Sequence, residues 1–161
     1  MYQPLDHAFM ICAYKESPYL EECILSLLHQ EVPSQVAIST STPNEYIQTL
    51  AQKYGLEVHI NSENPGITGD FNFAISKALA TLVTLAHQDE IYEKGYTASM
   101  LTYVNSAKRP LLFFTDHVEL RNDEIVSSNT LLRVKTLIAG ASGTEALQSI
   151  SICEKACSLT G

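Results

Sequence analysis

Clustered positive charge is what this sequence most lacks. Ten Lys and Arg stand against 18 Asp and Glu, for a formal net charge of −8. A general nucleic-acid surface neutralises phosphates with Lys and Arg, so that class of function is excluded and no nucleic-acid partner is expected. Any phosphate-bearing ligand would need a cation or backbone amides to meet its charge. Cys-x-x-Cys pairs are also missing. Of the four cysteines, Cys12 and Cys23 sit within apolar patterns and read as reduced core residues. Cys153 and Cys157 have the i,i+4 spacing of a helix face but no nearby His, so no zinc site is expected. No apolar run approaches the ~20 residues of a bilayer span, and no basic segment leads into an apolar one at the N-terminus. The expected location is the cytoplasm, free or peripheral to a membrane. Internal repeats and low-complexity blocks are absent, with Gly140 to Gly143 the best linker candidate.

What is present suits one globular domain: 161 residues, 45% of them apolar. Phe9 to Ala13 is a continuous apolar run, the pattern of a strand buried on both faces in a parallel sheet. Ser17 as N-cap and Pro18 precede Leu20, Cys23, Ile24, Leu27 and Leu28, one helical face ending near Gln30. A second strand covers Val36 to Thr40. Thr42-Pro43-Asn44-Glu45 reads as a capping box with proline at N1, opening a helix that stops at Gly55. A third strand, Leu56 to Ile60, is followed by a turn-rich loop from Asn61 to Gly69, where Gly66 and Gly69 supply positive φ or close approach. Helical spacing begins at Asp70 and runs to Leu79. Leu82 to Ala86 is a fourth strand, Tyr96 to Val104 a helix, Leu111 to Thr115 a fifth strand, and His117 to Val126 a hairpin. A last helix is expected from Asn129 to Ile138, ahead of a weakly patterned tail at 139–161. Strands alternating with helices predict an α/β fold of three α/β/α layers, Rossmann-like, around a mostly parallel central sheet.

The segment richest in chemistry is Leu82 to Glu90, an apolar strand ending abruptly in His87-Gln88-Asp89-Glu90. Open α/β sheets bind ligands in the crevice beyond their strand ends, so carboxylates delivered there can build a site. The plainer alternative is a polar loop that N-caps the next helix.

Four segments together resemble the N-terminal, nucleotide-sugar-binding half of a family 2 glycosyltransferase of the GT-A fold, over residues 8–138. They are Ile11-Cys12-Ala13-Tyr14-Lys15-Glu16 with the helix after it, Asn61 to Asn72, Leu85-Ala86-His87-Gln88-Asp89-Glu90, and the Leu111 to Asp116 strand with its hairpin. The third aligns with the family's strand ending in Asp-x-Asp. The resemblance implies a donor pocket for a nucleotide sugar, with uracil as the default base and thymine second. Its lining is implied to be Ala13, Tyr14, Glu16, Thr40, Gly66, Asn72, His87 and Gln88. It implies a divalent Mn²⁺ or Mg²⁺ held by Asp89, stabilising the departing diphosphate as a Lewis acid. It also implies inverting transfer to a saccharide or lipid-linked hydroxyl.

Three departures bear on this. His87 replaces the first Asp of Asp-x-Asp, so the metal loses one fixed charge, with Glu90 available as a substitute ligand. Ser39 to Thr42 stand where many members carry acids, leaving hydroxyls to meet the base or ribose. The family's catalytic base lies downstream in an acceptor half that is largely missing here, so the chain is expected to be a truncated enzyme, a fragment, or a donor-binding remnant. Asp116 and Glu119 are the local acids available as replacements, although ordinary strand-end solvation explains both. A catalytically inactive nucleotide-sugar binding or protein-interaction module is the competing reading. A nucleotidyltransferase ranks below both, because Ala13 to Glu16 is not a Gly-rich basic loop. An uncovered acceptor face would invite a homodimer.

Overall fold

The computed structural model describes residues 1–108, 113, 115–121, 124–126 and 150–154. A 3-10 turn at Pro4–Asp6 leads into β1 (His7–Ala13), followed by α1 (Leu20–Leu28), β2 (Gln35–Thr40), α2 (Glu45–Tyr54), β3 (Glu57–Ile60), α3 (Ile67–Lys77) and β4 (Leu82–His87). Then come β5 (Glu90–Ile91), α4 (Tyr96–Ser106), β6 (Asp116–Arg121), β7 (Glu124–Val126) and β8 (Ile150–Glu154). The main sheet has the order β3-β2-β1-β4, every neighbouring pair parallel. A smaller sheet has the order β5-β8-β6-β7.

β1 is central and buried on both faces, as its unbroken apolar run demands. Phe9, Ile11 and Ala13 join Ile38 and Ala86 beneath α1, α2 and α4, which contribute Leu20, Ile24, Leu27, Ile47, Leu50, Met100 and Val104. α3 packs on the sheet through the fully buried Ala74, outside that cluster. Three layers result, as the alternation of elements predicts.

Several expectations need correction. The first helix begins at Leu20 with Tyr19 as its N-cap, not Ser17, although the Ser17 Oγ still accepts the Tyr19 N–H at 3.3 Å. Asn44, not Thr42, caps α2, accepting the Ile47 N–H at 2.9 Å. Pro43 therefore precedes the cap instead of occupying N1. α3 opens at Ile67, three residues earlier than its apolar spacing suggests. Gly66 is its N-cap at φ +122, and Gly69 lies in its first turn, where a Cβ would collide with the carbonyl of Asn64. The missing side chain lets the loop fold back onto the helix start. The hairpin is present as β6 and β7, with Leu120 opposite Ile125. Cys153 lies in a strand, so the helical spacing read for it and Cys157 does not hold. β8 pairs parallel to β6 and antiparallel to β5, drawing part of the 139–161 tail into a sheet. The Asn129 to Ile138 helix and the Gly140 to Gly143 linker lie outside the described residues. So does most of the Leu111 to Thr115 strand, of which Phe113 and Thr115 are described outside any regular element.

Candidate functional site

Because β1 is flanked by β2 on one side and β4 on the other, strand order reverses at β1, and the crevice at the carboxyl ends of β1 and β4 is the expected ligand position. The register sets Cys12 level with both His87 of β4 and Ser39 of β2. Tyr14 to Glu16, Ser41 to Thr42 and Gln88 to Glu90 therefore leave the sheet side by side.

The β1 exit is held on both flanks. Past Cys12 and His87 the β4 chain turns away, and a side chain replaces its backbone: the Gln88 Oε1 accepts the Tyr14 N–H at 3.0 Å while its Nε2 donates to the Tyr14 carbonyl at 2.9 Å. On the β2 flank the Thr42 Oγ1 accepts the Lys15 N–H at 2.6 Å. Lys15 has φ 55, the left-handed conformation that non-glycine residues seldom adopt. Tyr14 is 54% exposed, with the Lys15 ammonium 5.0 Å from its ring centre. Ala13 is buried at the strand end, and Glu16 is exposed.

Thr40 is buried, and its Oγ1 accepts the Thr42 N–H at 3.0 Å, so its hydroxyl serves its own turn. Asp70, in the first turn of α3, gathers three donors: Ser41 Oγ at 2.8 Å, Asn61 Nδ2 at 2.7 Å and the Gly66 N–H at 3.2 Å. An acid reaching back to the N-cap amide satisfies one of the helix's orphan donors and complements its dipole. The Gly66 amide is thereby engaged. Asp70 ties the ends of β2 and β3 to α3, and its role was missed in the sequence. The signal was present as an acid in a helical first turn, four residues after a glycine.

In the β4 turn the Glu90 Oε2 accepts the Tyr92 hydroxyl at 2.6 Å and the His87 N–H at 3.4 Å. Burial first, then Glu90, pushes the Tyr92 phenol up, so it stays a proton donor. The Oε2 of Glu90 is thus occupied inside the turn. The His87 ring is exposed and edge-on to Phe71 of α3, with centroids 5.3 Å apart. Asn72 is exposed on the same helix. The half-buried Asp89 makes no hydrogen bond or ion pair among the described residues. Burial, then Asp70 and Glu90, pushes the Cys12 thiol up to about 11, which leaves it no nucleophile at neutral pH.

The structure thus brings Ala13, Tyr14, Glu16, His87, Gln88 and Asp89 to one crevice, with Thr40 buried beside it and Gly66 and Asn72 on the α3 side. No group of three or more His, Cys, Asp or Glu able to hold a metal occurs among the described residues. A metal here would take one protein carboxylate, from Asp89, and complete its shell with ligand phosphates and water, an arrangement usual for Mg²⁺. The uncommitted carboxylate fits that role. No helix among the described residues is long and apolar enough to cross a membrane.

A family model described as Glycosyl transferase family 2 matches residues 8–138. Among solved structures, residues 1–349 of S. aureus TarS superpose with a TM-score of 0.55 at 18% identity, over 62% of this chain and 32% of that one. The mannosyltransferase PcManGT from Pyrobaculum calidifontis, in complex with GDP-Man and Mn²⁺, superposes with a TM-score of 0.60 at 17% identity, over 73% and 36%. At these identities the likeness is one of fold, and the chain spans about a third of the TarS 1–349 and PcManGT chains and 19% of the longer TarS chain. A search of curated proteins finds no match.

Proposed function

Since the chain belongs to glycosyl transferase family 2, we propose that it binds a nucleoside-diphosphate sugar in the β1/β4 crevice and takes part in metal-assisted, inverting transfer of that sugar to a hydroxyl acceptor, saccharide or lipid-linked. The observation that carries this is the carboxylate of Asp89. Among the described residues it has no hydrogen-bond or ion-pair partner in the turn after β4, while the neighbouring acids Asp70 and Glu90 accept internal hydrogen bonds. In a chain of net charge −8, a cation offsets the repulsion that a diphosphate meets at such a crevice. Bound there, Mn²⁺ or Mg²⁺ would neutralise the charge developing on the departing diphosphate. Asp89 would hold it. Tyr14, exposed at the β1 exit, offers a face for the base, while Glu16 and the carbonyl of Ala13 lie within the same exit. His87, braced by Phe71, and Asn72 face the ribose and phosphates. The uridine diphosphate donor follows the family resemblance, and guanosine diphosphate, the nucleotide in the PcManGT complex, is the comparison to run against it.

Asp89→Ala is expected to weaken metal-dependent UDP binding by at least tenfold. Calorimetry with Mn²⁺ and with EDTA, on both proteins, measures this. Equal binding by wild type and variant, or binding indifferent to EDTA, would remove Asp89 from the site. The second reading is a donor-binding module without turnover, and the engagement of Asp70 and Glu90 favours it, because a general base needs a free carboxylate within reach of the acceptor. Binding of UDP-sugar without transfer to any hydroxyl acceptor would select that reading.

Self-association belongs to the same proposal. Ile67 and Ile75 are exposed on α3 and Leu79 just past its end, the last at 91%, and a second copy would cover these side chains. Light scattering is expected to show a dimer at high concentration. A monomer there would dismiss it.

A further inference from the structure

We infer that Gln88 and Thr42 are positioning residues that lock the Tyr14–Lys15 backbone against the Asp89 turn, so that the nucleoside and diphosphate ends of the proposed donor site are set by one clamp. This rests on the donor-binding reading and goes further, because it assigns Gln88 to the protein's own backbone instead of the ligand.

The geometry is specific. The β1/β4 ladder ends where Cys12 meets His87, and the next rung is supplied by the Gln88 amide, which answers both the N–H and the carbonyl of Tyr14 as a strand residue would. The following N–H, that of Lys15, is taken from the opposite flank by Thr42 at 2.6 Å. Held from both sides, the chain enters the left-handed region at Lys15, a conformation that persists in a non-glycine residue only where its surroundings impose it. Gln88 is bonded directly to Asp89, so the group that fixes Tyr14 is the neighbour of the group proposed to hold the metal. The sequence pattern places Thr42 in a helix cap. Its hydroxyl was available for Lys15 because Asn44 took the cap.

The test uses the whole chain and two pairs of variants. Thr42→Val keeps the shape and removes the acceptor, and Thr42→Ser restores it. Gln88→Leu removes both amide bonds, while Gln88→Glu keeps an acceptor for the Tyr14 N–H but faces the Tyr14 carbonyl with a second oxygen. Amide hydrogen exchange of Tyr14 and Lys15 is read by NMR, alongside Mn²⁺ affinity and UDP affinity in the presence of Mn²⁺. Gln88→Leu is expected to speed exchange at Tyr14 and Thr42→Val at Lys15, each roughly tenfold, with UDP affinity falling by a similar factor. Mn²⁺ affinity should stay unchanged, Thr42→Ser should recover the wild-type values, and Gln88→Glu should not. Unchanged exchange in both Gln88→Leu and Thr42→Val would overturn the clamp. So would a loss of UDP affinity with unchanged exchange, which would make Gln88 a direct ligand contact. If wild type binds neither UDP nor GDP, the donor reading fails and with it the functional half of this inference, whereas the exchange measurements still decide whether the clamp exists.

Discussion

Phe9→Ala is expected to cost about 3–5 kcal/mol of folding stability, the range for emptying a fully buried phenylalanine site. Phe9 is wholly buried at the centre of β1, the strand on which both neighbours of the parallel sheet depend. Three rings surround it: His7 edge-on at 4.6 Å, Tyr92 at 5.6 Å and Tyr96 at 5.7 Å. Tyr92 and Tyr96 cannot collapse into the space freely. The Tyr92 hydroxyl is tied to Glu90 at 2.6 Å, and Tyr96 opens α4 with its ring against Tyr92. A cavity that cannot close costs the lost transfer energy and the lost packing together. Natural domains have margins of about 5–15 kcal/mol, so the variant should unfold at a much lower urea midpoint with an unchanged slope. A loss below about 1 kcal/mol would mean that Phe9 is not the hub of the core. The same substitution should loosen the β4 turn, because Tyr92 links the core to Glu90.

Acidification below neutrality should destabilise the protein through His7 by about 3–4 kcal/mol. His7 opens β1 and is 1% exposed, with its Nδ1 2.9 Å from the Ser34 Oγ and its Nε2 2.8 Å from the Thr84 Oγ1. Neither hydroxyl offers negative charge. Burial therefore pushes the imidazole down to about 4 from its ordinary 6.5. Between those two values the unfolded chain carries a proton on this residue that the folded chain does not, so stability rises with pH across that window. The contribution is complete above about pH 6.5, declines as pH falls, and is gone below about pH 4. At about 1.4 kcal/mol per unit, the interval gives the stated loss. Carboxylates titrate at the acid end of the same range, and subtracting the pH profile of His7→Gln isolates the histidine. Parallel profiles for the two proteins between pH 7 and 4 would contradict the assignment.

The parts of the fold read well from sequence are those fixed by local periodicity. The run Phe9 to Ala13 could be satisfied only by burial on both faces, and Leu20, Cys23, Ile24 and Leu27 could form only one helical stripe. The parts read poorly depend on partners distant in sequence. Pro43 suggests N1 because proline suits a first turn, yet Asn44 provides the stronger cap and moves the start of α2 two residues on. Gly66 and Gly69 suggested a loop through Gly69, whereas the helix begins at Ile67 because Gly69 admits the Asn64 carbonyl. β5 and β8 were hidden, since a two-residue strand and a Ser/Ala-rich tail acquire strand geometry only by pairing across the chain.

In the candidate site, residue types were legible and side-chain partners were not. The apolar strand ending in His87, Gln88 and Asp89 marked the crevice. Thr40 with Thr42 and Glu90 with Tyr92 are local contacts two residues apart, whereas the turn of Gln88 back to Tyr14 depends on strand register, which no local pattern encodes. Asp70 escaped notice for the same reason: its three donors come from Ser41, Asn61 and Gly66, across two strand ends.

In the proposed function, the carboxyl ends of β1 and β4 form a nucleoside-diphosphate site whose metal is carried by Asp89. Paramagnetic broadening of backbone amides by Mn²⁺, recorded with and without UDP, tests it most directly. The expected broadening is centred on His87 to Glu90, extends to Tyr14 to Glu16, strengthens when UDP is added, and disappears in Asp89→Ala. Broadening centred elsewhere, or unaffected by the nucleotide and by the substitution, would contradict it.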